Sequence, residues 1–156
     1  MLKLGKFNKS AKELLENSYK NIYARDEKER TALHYAIDAK TVRLLIEKGV
    51  DVNVADVRGH TALHLAITEK RLETVRELIK SGGNVNAEEY GNKCTPLHLA
   101  CMVGEKEIVE ELVKAGAEIE QADKFGMTAM DYAKNSKEIA EVLKKETEKM
   151  ESLLKK

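Results

Sequence analysis

The chain has 156 residues, 35% of them charged, and equal numbers of acidic and basic side chains give a formal net charge of zero. That length fits one domain, and a neutral total excludes the strong global field that draws a protein to nucleic acid or to an anionic membrane. Only six of the 27 basic residues are Arg, so few bidentate clamps for phosphate or guanine are on offer.

From the N-terminus, Met1-Leu2-Lys3-Leu4-Gly5-Lys6 contains no apolar secretory core, and no later run approaches 18 apolar residues. The expectation is an intracellular, cytoplasmic protein that spans no membrane, with export by a non-standard route as the alternative. Ser10-Ala11-Lys12-Glu13 reads as a capping box, followed by Leu14 and Leu15. Leu15 precedes Asp26 by 11 residues, as Leu45 precedes Asp56, and Ile22 corresponds to Val52. Residues 10–25 are therefore predicted to be the eroded second half of a repeat, serving as an N-terminal helical cap.

The repeat itself starts at Thr31-Ala32-Leu33-His34 and returns as Thr61-Ala62-Leu63-His64, Thr95-Pro96-Leu97-His98 and, degenerate, Thr128-Ala129-Met130-Asp131. The threonine steps are 30, 34 and 33 residues, and a fixed period of this size marks a stack of similar units. The second unit is the clearest. Asp56-Val57-Arg58-Gly59-His60 is a polar turn; Thr61 caps a short helix; Leu72, Val75, Leu78 and Ile79 lie three and four apart on a second helix; and Gly82 stops it, with Lys80 in the last turn. The third unit repeats this with Pro96 at the first helical position, where its missing N–H costs nothing, then Ile108, Val109, Leu112 and Val113, and Gly116 as the stop. The first carries Val42, Leu44, Leu45 and Ile46 before Gly49, and each of Gly49, Gly82 and Gly116 precedes an acidic turn residue by seven.

These residues resemble the ankyrin repeat, whose signature is T-P-L-H-x-A at a period of 33. Thr95-Pro96-Leu97-His98-Leu99-Ala100 matches in full, and the two earlier copies differ at the proline. Val52-Asn53 and Val85-Asn86 resemble the family's hairpin segment, and the likeness covers about 24–145. It implies an all-α solenoid of helix–turn–helix units with β-hairpin-like loops and helical caps. The boundaries follow as cap 10–25, repeats 26–55, 56–88 and 89–122, and a degenerate fourth repeat with a capping helix over 123–156.

Three departures carry expectations. In the first unit Glu29 replaces the turn glycine, and His34 to Gly49 is 15 residues where the other units have 18, so a tighter inter-helix turn is predicted there. The turn before Thr95 holds one extra residue, which cannot be placed uniquely within 88–94. After Val142 and Leu143 no glycine stops the last helix, and Met150, Leu153 and Leu154 leave two readings of the tail: a long capping helix that folds back, or a frayed end.

No catalytic constellation is legible, and no enzyme is expected. His34, His64 and His98 occur one per unit, roughly 10 Å apart at helix-packing distance, too far to share a metal whose ligands stand about 2 Å away. The family's histidines instead link units through turn backbone. His60 is expected to be exposed. Cys94 and Cys101 form no C-x-x-C pair and are expected to be free thiols in a reducing compartment. Gly82-Gly83 is a helix stop and not a phosphate loop. Neither metal nor cofactor is expected.

The resemblance implies that a protein partner binds the concave side, made of turn tips and the exposed edge of the first helices. Those positions are Lys28, Arg30, Asp38 and Ala39 in the first unit, and Val57, Arg58, His60, Thr68 and Glu69 in the second. The third supplies Tyr90, Asn92, Lys93, Met102 and Val103, and the fourth Lys124, Phe125, Met127, Lys134 and Asn135. Tyr90, Met102, Val103, Phe125 and Met127 are apolar where solvent is expected, in adjacent units, which is the composition of an interface. The plain alternative packs Tyr90 and Phe125 on neighbouring tips and tucks Met127 under the last helix. Arg58, Lys93 and Lys124 would select an acidic rim on the partner. The expected function is non-catalytic protein recognition by a chain monomeric on its own. The alternatives are a structural or designed scaffold without a natural partner, and a regulatory subunit of an unidentified enzyme.

Overall fold

The computed structural model describes residues 22–155. All but the last four residues of the predicted cap 10–25 lie outside that range. Ile22 packs partly buried against the core, and the Tyr23 hydroxyl donates to the Lys48 carbonyl at 3.0 Å.

A 3-10 turn over Ala32–Tyr35 leads to α1 (Ala39–Glu47); α2 (Ala62–Thr68) and α3 (Leu72–Lys80) make the second unit; α4 (Pro96–Val103) and α5 (Lys106–Lys114) the third. The fourth holds α6 (Ala129–Tyr132), a 3-10 turn over Ala133–Asn135, and α7 (Lys137–Leu154). First helices stack on first helices, α2 on α4 and α4 on α6; second helices stack likewise, α1 on α3, α3 on α5 and α5 on α7. Among the described residues there are no strands, so the loops between units are turns and not paired β-hairpins.

One continuous apolar cluster runs through the stack from Leu33 to Leu143. Its members come from one stripe of each second helix, for instance Val75 and Leu78 on α3 and Ile108, Val109 and Leu112 on α5, and from the first helices, for instance Leu63 and Ile67 on α2 and Leu97 on α4, all nearly inaccessible. No unit can bury that stripe by itself, so stability is shared between neighbours.

The second helices end in one way. Gly82 takes φ +91°, its N–H bonds to the Ile79 carbonyl, and the next N–H, of Gly83, bonds to Leu78. This is the Schellman closure, which a Cβ would penalise; Gly49 and Gly116 repeat it.

The short first unit differs from expectation in where the shortening falls. Its first helix loses its last turn and survives as the four-residue 3-10 turn, while Asp38 directly caps α1 by accepting the Thr41 N–H at 2.7 Å. The tail is one unbroken helix: α7 has 18 residues where α1, α3 and α5 have nine. Leu143 is buried in the stack, whereas Met150, Leu153 and Leu154 are exposed, Met150 and Leu154 lining a hollow with residues 118–122.

Bonds between tips place the extra residue of the third turn. The N–H groups of Val57, Tyr90 and Lys124 donate to the carbonyls of Lys28, Arg58 and Asn92. These pairs align Tyr90 with Val57 and Asn92 with Arg58, so the insertion is Gly91. The left-handed position of the turn then falls at Glu29, Gly59, Lys93 and Gly126, with φ of +59°, +83°, +56° and +76°. At Glu29 an L side chain occupies a region costing it about 1–2 kcal/mol. Its ion pair with Arg25 is solvent-exposed and adds little. Glu29→Gly is therefore expected to raise the melting temperature by about 2–4 °C, read by calorimetry; an unchanged or lowered value would contradict this reading of the turn.

Candidate functional site: the ridge of turn tips

Each tip is folded around a carboxylate. Asp56 accepts the N–H groups of Arg58 and His60, both at 2.9 Å. Asp123 accepts those of Phe125 and Met127, and Asp26 those of Lys28 and Arg30. The third tip uses Glu89, whose longer arm reaches Gly91, Asn92 and Cys94 around the added residue. Burial pushes these carboxyls up, but the N–H donors and neighbouring side chains outweigh it, and Asp26, Asp56, Glu89 and Asp123 all lie below their ordinary values.

The remaining oxygens are also engaged. Tyr35 donates its hydroxyl to Asp26 and Tyr132 to Asp123, while Arg30 Nε meets Asp56 Oδ2 at 3.0 Å across the unit boundary. Sequence reading missed these three links. The equal spacing of nine residues in Asp26/Tyr35 and Asp123/Tyr132, in the two units with short first helices, is the signal that could have found two of them.

Threonine and histidine close the other side of each tip. The backbone N–H of Thr31, Thr61 and Thr95 donates to Nδ1 of His34, His64 and His98 at 3.1, 3.1 and 3.0 Å. Nδ1 being an acceptor, the proton sits on Nε2, and His34 Nε2 donates to the His60 carbonyl at 2.9 Å, His98 Nε2 to Met127 at 3.0 Å. Two of the three histidines thus link units. His64 Nε2 makes no well-formed bond of this kind, although the Cys94 and Ala87 backbone lies near enough to act on it; the tip it faces is the one lengthened by Gly91. Burial first, and the nearby His60 second, push His64 down to about 4. Asp131 makes the same contact with the Thr128 N–H at 2.9 Å, but a carboxylate has no second ring nitrogen to donate onward.

The expected concave positions divide into two groups. Tyr90 and Phe125 are 67% and 68% exposed, and Val57, Arg58, Thr68, Glu69, Asn92, Lys93, Met102 and Lys124 are also exposed. Three positions correct the expectation. His60 is half-buried, with its ring centroid 5.7 Å from that of His64. Val103 packs partly against the core, and Met127 is half-buried, its carbonyl accepting from His98 Nε2. In the first unit Arg30 is tied to Asp56, and in the fourth Lys134 pairs with Asp131 at 3.3 Å. Tyr90 lies against Gly59: a Cβ on Gly59 would meet its ring at 2.7 Å. The ring therefore does pack on the neighbouring tip, yet most of its surface stays open. Ile37, 45% exposed at the end of the first unit's short turn, is an apolar position the sequence reading passed over.

Arg58, Lys93 and Lys124 have no ion pair among the described residues. Every carboxylate of the tips 56–60, 89–94 and 123–127 is instead turned onto backbone N–H groups. The turns 56–60, 89–94 and 123–127 thus present cations and apolar side chains with their own acids turned inward, and exposed Glu69 and Glu88 are the acids beside them. Elsewhere, Cys94 and Cys101 are buried free thiols, pushed by burial up to about 11 and about 12, far from the thiolate a nucleophile needs. Among the described residues no three His, Cys, Asp or Glu side chains converge as metal ligands, and no helix is long and apolar enough to cross a membrane.

A stack of helix pairs with a continuous core and a ridge of ordered turns defines a helical repeat protein of the kind that offers an extended surface. A family model described as ankyrin repeats (3 copies) matches residues 3–89 and again 82–152, and the chain belongs to the ankyrin repeat family. Among its relatives, glycerophosphocholine phosphodiesterase gde1 of Schizosaccharomyces pombe is 42% identical over 92 residues, 59% of this chain and 8% of that protein. Ankyrin repeat domain-containing protein 63 of Homo sapiens is 43% identical over 54 residues, 35% of this chain and 14% of its own length. Alpha-latrotoxin-Lg1a of Latrodectus geometricus is 35% identical over 128 residues, 78% of this chain and 9% of the toxin. The chain spans only a small fraction of each of these relatives. Ankyrin repeats generally mediate protein–protein interaction, and the repeat domain is a non-catalytic interaction module.

Proposed function

We propose that this chain recognises a protein partner through the tips of units two to four and the adjoining end of α4. The observation that carries this reading is the run of exposed apolar side chains Val57, Tyr90, Met102 and Phe125 on consecutive units. The backbone beneath them is fixed by the tip-to-tip bonds at Val57, Tyr90 and Lys124. A surface ordered before contact loses little conformational entropy on binding, and Tyr, Phe and Met are the side chains favoured in interface centres. Thr68, Glu69 and Asn92 complete the rim.

Phe125→Ala is expected to weaken capture of the protein partner by about tenfold or more, as an interface anchor does, and to leave the melting temperature unchanged. Tyr90→Ala is expected to weaken capture and also lower the melting temperature, because its ring covers Gly59. Affinity capture from cell extract beside thermal denaturation reads both. Capture undiminished in both variants would remove this surface from the function.

A further inference from the structure

We propose that the ridge of tips takes an acidic, extended polypeptide segment with an apolar side chain at about every third residue. This rests on the protein-recognition reading above and adds the partner's charge, shape and register.

The charge follows from how the tips are built. Forming each turn consumes its one carboxylate: Asp56, Glu89 and Asp123 face inward onto N–H groups, and Arg30 and Tyr132 take oxygens of the first and last. The basic residues of the same turns are not consumed. Arg58, Lys93 and Lys124 are exposed, one per unit, and none is paired among the described residues. A neutral protein therefore carries a local stripe of positive charge, interrupted by apolar points. Such a stripe is matched by carboxylates, and lysine-rich partners are repelled from it.

The apolar points set the spacing. Val57, Tyr90 and Phe125 stand on three consecutive tips, exposed to 55%, 67% and 68%; Val57 and Tyr90 share one turn position, and Phe125 lies one residue on, at the position of Arg58 and Asn92. Stacked helices lie roughly 10 Å apart, and an extended chain advances about 3.3 Å per residue, so each unit spans about three residues of ligand. Each unit offers one apolar group and one cation close together in sequence (Val57 with Arg58, Tyr90 with Lys93, Phe125 with Lys124). A three-residue ligand step with one apolar and at least one acidic side chain satisfies both. An extended segment can follow tips linked one to the next by backbone bonds, whereas a helix needs a groove for its apolar face. A single-stranded nucleic acid would use the cations and stack on Tyr90 and Phe125, but it would leave aliphatic Val57 without a complement and meet a chain of zero net charge.

The test is direct binding of labelled probes to the full chain by fluorescence anisotropy. The peptide (Asp-Leu-Glu)4 is expected to bind, with affinity falling about tenfold or more between roughly 0.05 and 0.3 M salt. Three controls, (Asp-Ser-Glu)4, (Lys-Leu-Lys)4 and a twelve-nucleotide oligothymidine, are expected to bind at least about tenfold more weakly. The triple variant Arg58→Glu, Lys93→Glu, Lys124→Glu should abolish binding of the acidic peptide at unchanged melting temperature, because none of the three side chains holds the fold. Phe125→Ser should weaken the same peptide about tenfold. Absence of binding by (Asp-Leu-Glu)4, equal binding by the lysine peptide or the oligothymidine, or indifference to the triple variant would each overturn the proposal. If the acidic peptide fails while capture from extract still depends on Phe125, the ridge recognises a protein of other chemistry; if capture does not depend on Phe125, the underlying reading fails too.

Discussion

Leu97→Ala is expected to lower the unfolding free energy by about 3–4 kcal/mol, the cost of emptying a close-packed leucine site that cannot fully collapse. Leu97 is 1% exposed and sits in the first turn of α4, between α2 and α6. The loss would be a large part of the roughly 5–15 kcal/mol that holds a typical domain. It also strikes the unit through which the second and fourth communicate. Because each unit leans only on its neighbours, the urea transition should shift to lower denaturant and also broaden as the two ends begin to melt apart. Leu153→Ala is the control: Leu153 is 63% exposed on the free end of α7, and its loss should be within about 0.5 kcal/mol of zero. A change below about 1 kcal/mol at Leu97 would mean that the first-helix layer is not the packed centre described above.

Stability should also fall as the pH drops from about 6.5 to 4, a window set by His64. Its ordinary value is 6.5 and its folded value is pushed down to about 4. Between the two the unfolded chain holds a proton that the folded chain refuses, so stability rises with pH across this interval and is fully present above it. A displacement of that size corresponds to about 3 kcal/mol over the whole window and about 2 kcal/mol by pH 5. His34, also depressed by burial, adds in the same direction. The turn carboxylates act lower. Their depressed values keep their contribution intact above the unfolded carboxylate range, and it is lost only as pH falls through their folded values. Urea unfolding at pH 7, 6 and 5 measures the slope, and His64→Gln should flatten it whatever that substitution does to absolute stability. A free energy independent of pH between 7 and 5 would show that His64 is not held neutral in the stack.

Much of the architecture was legible in the sequence because its signals are local. Thr95 before Pro96, the glycines at 49, 82 and 116, and the threefold and fourfold spacing of Val75, Leu78 and Ile79 each act within one turn of chain. What escaped reading depends on contacts between units. Gly91 is identified as the insertion only by the bonds that pair Tyr90 with Arg58 and Lys124 with Asn92. The half-burial of His60, Val103 and Met127 follows from how closely the next unit approaches, a distance that no motif encodes. The ridge was legible in part for the same reason. Position in the repeat placed Phe125 and Tyr90 at tips, but only the hydrogen bonds of Asp56, Glu89 and Asp123 reveal that those tips spend their acids inward and leave their cations outward. The missing carbon of Gly59, filled by the Tyr90 ring, likewise joins a structural role to a surface one in a single side chain.

The most direct test of the recognition surface is a photo-crosslinker placed at Phe125 and, separately, at exposed Lys80 on α3. Irradiation in cell extract, followed by quantification of covalent adducts, should give a protein adduct at position 125 that the Arg58→Glu, Lys93→Glu, Lys124→Glu background abolishes, and none of comparable yield at position 80. Equal adducts at both positions would contradict the recognition surface, and an adduct at 125 indifferent to those three charges would contradict the acidic ligand.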